Sequence, residues 1–110
     1  MKTKRTTYAS IPAKTRRAVY ERDGFRCALC DDARGLQVHH VMPRSGGGSD
    51  DEMNLICLCW RCHAEAHGTF MPERGRDAAT RNELAAELAQ ACVEYVSELY
   101  ACEGVPWSPF

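Results

Sequence analysis

All four histidines of the chain, His39, His40, His63 and His67, fall between residues 38 and 67. Cys57, Cys59 and Cys62 lie in the same stretch, and Cys27 and Cys30 precede it as a Cys-x-x-Cys pair. Imidazole nitrogens and thiolates are the donors that late first-row metal ions prefer. His63 and His67 are four apart, so on a helix both rings project from one face and form a two-point grip. A third nitrogen from an extended segment at His39 would give a three-histidine site with open positions, the arrangement of a catalytic metal. Adjacent residues on a strand point to opposite faces, so His39 and His40 cannot both serve that ion, and one stays available as a base. Such a set suits hydrolysis of a phosphodiester. The metal offsets charge on the phosphate and leaving oxygens, and an imidazole of ordinary pKa, about 6.5, takes a proton from water. Each histidine alone could be a satisfied surface or core group, and His63 or His67 could replace a cysteine at a second metal. Their joint arrangement favours a working set.

Cys27-x-x-Cys30 and Cys59-x-x-Cys62 each offer two thiolates from one tight turn, and together they supply a tetrahedral zinc site of four cysteines. The 28 residues between the pairs exceed the spacing of a simple finger, so the segment between them is carried as an insertion. Cys57 could compete as a ligand, but alternation turns it away from Leu58 and it reads as core. Cys92 and Cys102 are expected on a helix as small apolar side chains.

The elements that must position these groups follow from pattern. Ser10 as N-cap and Pro12 in the first turn open a helix over 13–22, with Val19 inward and a turn at Asp23-Gly24. Leu36, Val38 and Val41 suggest a strand stopped by Pro43, and residues 44–52, with three consecutive glycines, read as a flexible spacer loop. Residues 55–58 read as a second strand, 59–62 as the second knuckle and 63–67 as one helical turn. From about Asp77 to Cys102, Leu84, Leu88, Cys92, Tyr95 or Val96, and Leu99 recur at helical spacing. That helix is a core-covering scaffold, with a homodimer surface as the lesser alternative. The fold class expected is α+β: a small ββα core at 27–68 with a structural zinc, an N-terminal helix, and a C-terminal helix at 77–103. Residues 1–110 read as a single domain with a flexible basic arm at 1–9.

A chain of 110 residues buries a modest core, so a structural zinc, worth roughly 10–16 kcal/mol in finger peptides, would matter to its stability. No apolar run approaches the ~20 residues that span a bilayer, and no apolar segment follows the basic N-terminus. No membrane partner is therefore expected, and a reducing cytoplasmic setting is, where cysteine pairs read as metal ligands. Seven cysteines also fit a disulfide framework poorly. The net charge of -1 is unevenly spread: residues 1–26 hold eight Lys/Arg against two acids, and residues 76–110 hold two against six. A basic N-terminal side can follow phosphates while the acidic end faces away. The alternative is a solvated tail that happens to be basic. Arg16, Arg17, Arg22, Arg26 and Arg61 are candidate backbone contacts, and Arg44 is either a phosphate contact or a solvated loop residue.

The string H-H-V-M-P-R-S-G-G-G-S-D, then N-L-I-C-L-C, then C-H-A-E-A-H, resembles the HNH endonucleases of the ββα-metal superfamily, in their zinc-knuckle form from bacteria, phages and mobile elements. The resemblance implies that His39 and His63 hold the catalytic metal, joined by His67 as in members with H-x3-H. It implies that His40 is the general base and that Asn54 braces the loop. Cys27, Cys30, Cys59 and Cys62 become the structural zinc ligands. A divalent catalytic ion (Mg2+, Mn2+, Ni2+ or Zn2+) and a DNA substrate, double-stranded, are implied with them. A homodimer or a larger nuclease or packaging assembly is left open. The other function class is a catalytically inactive zinc module that binds nucleic acid or protein.

Overall fold

A computed structural model describes residues 10–72 and 78–110. Its elements are α1 (Ala13–Arg22), β1 (Gln37–His40), β2 (Leu55–Leu58), α2 (Trp60–Ala66) and α3 (Arg81–Ala101), with short 3-10 turns at Arg44–Gly46 and Glu52–Asn54. The fold is α+β, as the pattern implied. The strands form an antiparallel pair with Gln37 opposite Leu58, Val38 opposite Cys57, His39 opposite Ile56 and His40 opposite Leu55.

All four residues of β2 are fully buried because both faces of the pair are covered. Leu55 and Cys57 pack with Val19 of α1, and Ile11, Tyr20 and Val38 close around them. Ile56 and Leu58 face the other way, into a larger cluster with Cys59, Leu84, Leu88, Cys92, Val96 and Tyr100. The pair is thus the middle layer, with α1 on one side and α2 and α3 on the other. Period-two alternation assigns Val38 and His40 to the α1 side and His39 to the α2 side.

The outer edge of β2 is closed by polar groups, which removes a bare strand edge. Asp23 Oδ2 accepts from the Cys57 N–H at 2.9 Å, and Arg22 donates to the carbonyls of Glu52 (2.8 Å) and Leu55 (2.6 Å). Arg22 also pairs with Asp23 at 2.8 Å, and the Tyr95 hydroxyl donates to Asp23 Oδ1 at 2.9 Å. Arg22 is therefore a buried tie between α1, β2 and α3, not the phosphate contact that its charge suggested.

Several expectations shift. Ser10 is not the cap of α1: Pro12 occupies that position without a side-chain bond, and its carbonyl accepts from Arg16 N–H. α2 starts at Trp60, so Cys62 sits within the helix, because Cys59 Sγ accepts from Cys62 N–H and caps it. α3 starts at Arg81, where Thr80 Oγ1 accepts from Glu83 N–H and Glu83 returns a bond to Ala79 N–H. Cys102, expected to be buried, is exposed beyond the end of α3. Residues 44–54 are a built loop rather than a spacer: Asn54 Oδ1 accepts from Met42 N–H (2.8 Å), and Asn54 Nδ2 donates to the carbonyls of Met42 (2.9 Å) and Ser49 (2.8 Å). Gly48 is required there, since a Cβ would collide with the Met42 carbonyl oxygen. The C-terminal residues fasten the same loop from outside, through Trp107 Nε1 to the Met53 carbonyl (2.6 Å) and Ser49 N–H to the Pro109 carbonyl (2.9 Å). The basic arm at 1–9 lies outside the described residues.

Candidate active site

The four knuckle cysteines converge. Each offers a sulfur, and the four sulfurs lie within 4.8 Å of one another, with Cys30 and Cys59 3.5 Å apart. A tetrahedral zinc with Zn–S near ~2.3 Å has edges of ~3.8 Å, so the cluster fits that ion. The Cys62 thiol is the main influence on Cys27, and with backbone N–H groups of the knuckles it pulls the Cys27 pKa down to about 4. Cys27 is the sulfur favoured as thiolate, whereas its hydrogen-bond partner Cys62 is pushed up by that bond and Cys30 by burial. Cys57 is not part of this set. It packs on the α1 side, and burial pushes its thiol up to about 12. Cys92 is likewise buried and raised to about 12.

The second cluster is His39, His63 and His67, whose ligand nitrogens also lie within 4.8 Å of one another. His63 and His67 Nε2 are 3.1 Å apart, and the three rings meet edge to face at centroid distances of 4.5–5.3 Å. A tetrahedral ion with M–N near ~2.05 Å needs nitrogen separations of ~3.3 Å, so these rings suit one late first-row cation. Burial first, then the neighbouring imidazoles, drives His39 down to about 3, and burial and His67 lower His63. Both shifts favour the neutral ring, whose lone pair a metal needs.

These three histidines line a hollow of about 350 Å³ with Val38, His40, Pro43, Arg44 and Ser45. His40 stands apart from the trio yet is not unattached. Its Nε2 lies 2.8 Å from Asp50 Oδ1. Asp50 also receives Arg44 Nε on Oδ1 and an Arg44 terminal nitrogen on Oδ2, both at 2.9 Å. Arg44 first, then His40, holds the Asp50 carboxyl down at about 2, so it is a carboxylate throughout the neutral range. A carboxylate only accepts, so His40 donates from Nε2, and in the neutral form of the ring the lone pair is then on Nδ1. Asp50 is the candidate residue that pattern reading passed over. Its signal was an acid pair, Asp50-Asp51, at the end of a glycine run, and nothing in the string says which member turns inward.

The remaining sequence candidates divide. Asn54 is fully buried and braces the loop through the bonds given above. Arg44 lines the hollow. Arg61 sits on α2 and bonds Glu65 at 3.2 Å, outside the hollow's lining. Arg26 pairs with Asp31 at the surface. Arg16 lies on α1 beside a neighbouring hollow, whereas Arg17 is exposed and lines neither.

Residues 26–69, which contain both clusters, match the family described as HNH endonuclease. That segment is an HNH endonuclease domain. Over 32 residues it is 53% identical to the type IV methyl-directed restriction enzyme EcoKMcrA of Escherichia coli strain K12, a match covering 29% of this chain and 12% of that protein. Over 33 residues it is 52% identical to probable mobile endonuclease C of Enterobacteria phage T4, covering 30% and 16%. Over 55 residues it is 33% identical to Anaredoxin of Nostoc sp., covering 49% and 72%. The likeness to the two endonucleases is thus confined to a small fraction of their length, and that fraction is the HNH region. No helix among the described residues is long and apolar enough to cross a membrane.

Proposed function

We propose that the chain is a metal-dependent endonuclease that hydrolyses phosphodiester bonds of double-stranded DNA, nicking or cutting it, with His40 as general base. The observation that carries this reading is the shared hollow: three imidazoles converge on one wall, and a fourth, fixed by a carboxylate, stands beside them. His39, His63 and His67 would hold a divalent ion, which when bound supplies positive charge to the phosphate under attack and to the leaving oxygen. His40 Nδ1 takes the proton of the attacking water, and the resulting imidazolium is stabilised by Asp50. Arg44, already oriented by Asp50, presents its guanidinium to the phosphate oxygens. The four-cysteine cluster holds a structural zinc that fixes the Cys27–Cys30 turn against the start of α2, and so sets the position of His63. Two of the relatives carry the words restriction enzyme and mobile endonuclease in their names, and a role on invading or mobile DNA fits that company.

The test is supercoiled plasmid incubated with the zinc-loaded protein and Mg2+, Mn2+, Ni2+ or Zn2+, beside His40→Ala. Relaxed or linear product from wild type and none from the variant is the expected result. Identical behaviour of the two in every metal would leave a non-catalytic zinc module instead.

A further inference from the structure

His40 and Arg44 do not only wall the metal hollow. With Val38 they also form one side of a second hollow of about 410 Å³, completed by Ser10, Ile11, Arg16, Tyr20 and Gln37. The two hollows therefore share Val38, His40 and Arg44 as a common wall. The second lies on the α1 side of the sheet, the side to which alternation assigns Val38 and His40, whereas the metal trio is on the α2 side. Its volume lies within the ~300–1,000 Å³ of sites that take a small ligand. Its lining mixes two guanidinium groups, an imidazole, a carboxamide, two hydroxyls and apolar surface. The Tyr20 ring is itself stacked on Phe25, with centroids 6.3 Å apart. Cations beside an aromatic face match a sugar-phosphate with its base.

We propose that this second hollow seats the nucleotide adjoining the cleaved phosphate on the same DNA strand, with Arg16 holding its far phosphate and Gln37 and Tyr20 lining its sugar and base. The assignment rests on the nuclease reading of the neighbouring hollow. A strand laid over His40 reaches both sides of the sheet, which places the base at the scissile bond rather than behind it. Arg16 is positioned for this by α1, where its guanidinium donates to the Ile11 carbonyl at 2.8 Å.

The test measures binding of a short labelled DNA duplex by fluorescence anisotropy across a salt series, on zinc-loaded protein without added catalytic ion. Arg16→Ala should weaken binding about tenfold and flatten the salt dependence by about one charge. Lys14→Ala removes the same charge from the same helix, about 200° away around its axis, and should do neither. Because Arg16 also supports Ile11, Gln37→Glu provides a second reading: a negative charge on the exposed strand end should weaken binding without touching α1. Plasmid cleavage by wild type is run alongside. If wild type cuts DNA while Arg16→Ala matches Lys14→Ala and Gln37→Glu binds like wild type, the second hollow is off the strand's path and the inference is overturned, with the nuclease reading intact. If wild type cuts in no metal, the nuclease reading falls and the subsite falls with it.

Discussion

Removing the Asp50 carboxylate should slow catalysis without weakening DNA binding. In the structure Asp50 fixes one nitrogen of His40 at 2.8 Å and is itself fixed by two bonds from Arg44. Asp50→Ala releases the imidazole to about three χ1 wells and two ring orientations, so the productive geometry becomes roughly one state in six. The carboxylate also stabilises the imidazolium that forms as water is deprotonated. At an effective dielectric near 20 a contact of this kind is worth up to ~4 kcal/mol, but Asp50 is more than a third exposed, and ~1 kcal/mol, a factor of about five, is the screened value. The two factors together predict a fall of roughly thirtyfold in kcat, less than the ~10²–10⁴ ascribed to a general base as a whole, as befits a residue that acts through the base. KM should hold or decrease, since a negative charge leaves the phosphate path and Arg44 is released toward it. The pair is partly exposed, so folding stability should change by less than about 1 kcal/mol. The assay is nicking kinetics on plasmid at saturating metal for wild type, Asp50→Ala, His40→Ala and the double variant. If Asp50 acts through His40, the double variant is no slower than His40→Ala. Unchanged kcat in Asp50→Ala, or a double variant slower by the full single-variant factor, would refute the reasoning.

Cys59→Ser should lower zinc content by elemental analysis and broaden or abolish the cooperative thermal transition, because Cys59 belongs to the four-cysteine cluster proposed to hold zinc and also caps α2. A mild chelator that strips only the histidine-held ion should abolish nicking while leaving far-UV circular dichroism unchanged. Asn54→Ala removes three loop hydrogen bonds from a fully buried side chain and should cost about 2–4 kcal/mol in urea denaturation. Gly48→Ala should be equally damaging, since its Cβ runs into a backbone oxygen. Gly46→Ala meets only the Met42 side chain, its sulfur at 3.0 Å, and should lower the melting temperature far less. Trp107→Phe keeps an aromatic ring but removes the donor to Met53, and should raise hydrogen exchange in residues 44–54 before it lowers global stability.

The clusters were legible because metal ligation has strict donor and spacing rules. Four cysteines in two Cys-x-x-Cys turns, and His63 and His67 four apart, can be matched to an ion without knowing the packing. The strands and the burial of Val19, Leu84 and Leu88 were legible from periodicity. What escaped were features set by tertiary contact. Arg22 looks like any helix arginine until Asp23, the Leu55 carbonyl and Tyr100 surround it. Asp50 takes its role from a loop geometry fixed by Asn54 and Gly48, and three glycines in a row read as slack when one of them is a steric requirement. The starts of α2 and α3 moved because Cys59 and Thr80 cap them, a choice among several neighbouring candidates that only the folded backbone makes.

The adjacency of His39 and His40 carries a hazard of its own. Sliding β1 by one residue against β2 would turn every side chain to the opposite face. In most strands that exchange is betrayed at once, because a polar group lands in the core. Here it would put one imidazole where another had been, delivering His40 to the trio and His39 toward Asp50, so the active groups themselves give little protection against misalignment. β2 gives little either, being buried on both faces. The discrimination falls to Asn54: its carbonyl takes the Val41 N–H at 2.8 Å and its side chain grips Met42 on both polar atoms, one step beyond the strand. Asn54 thus works as a proofreader of alignment, deciding which of two identical side chains joins His63 and His67 and which faces Asp50.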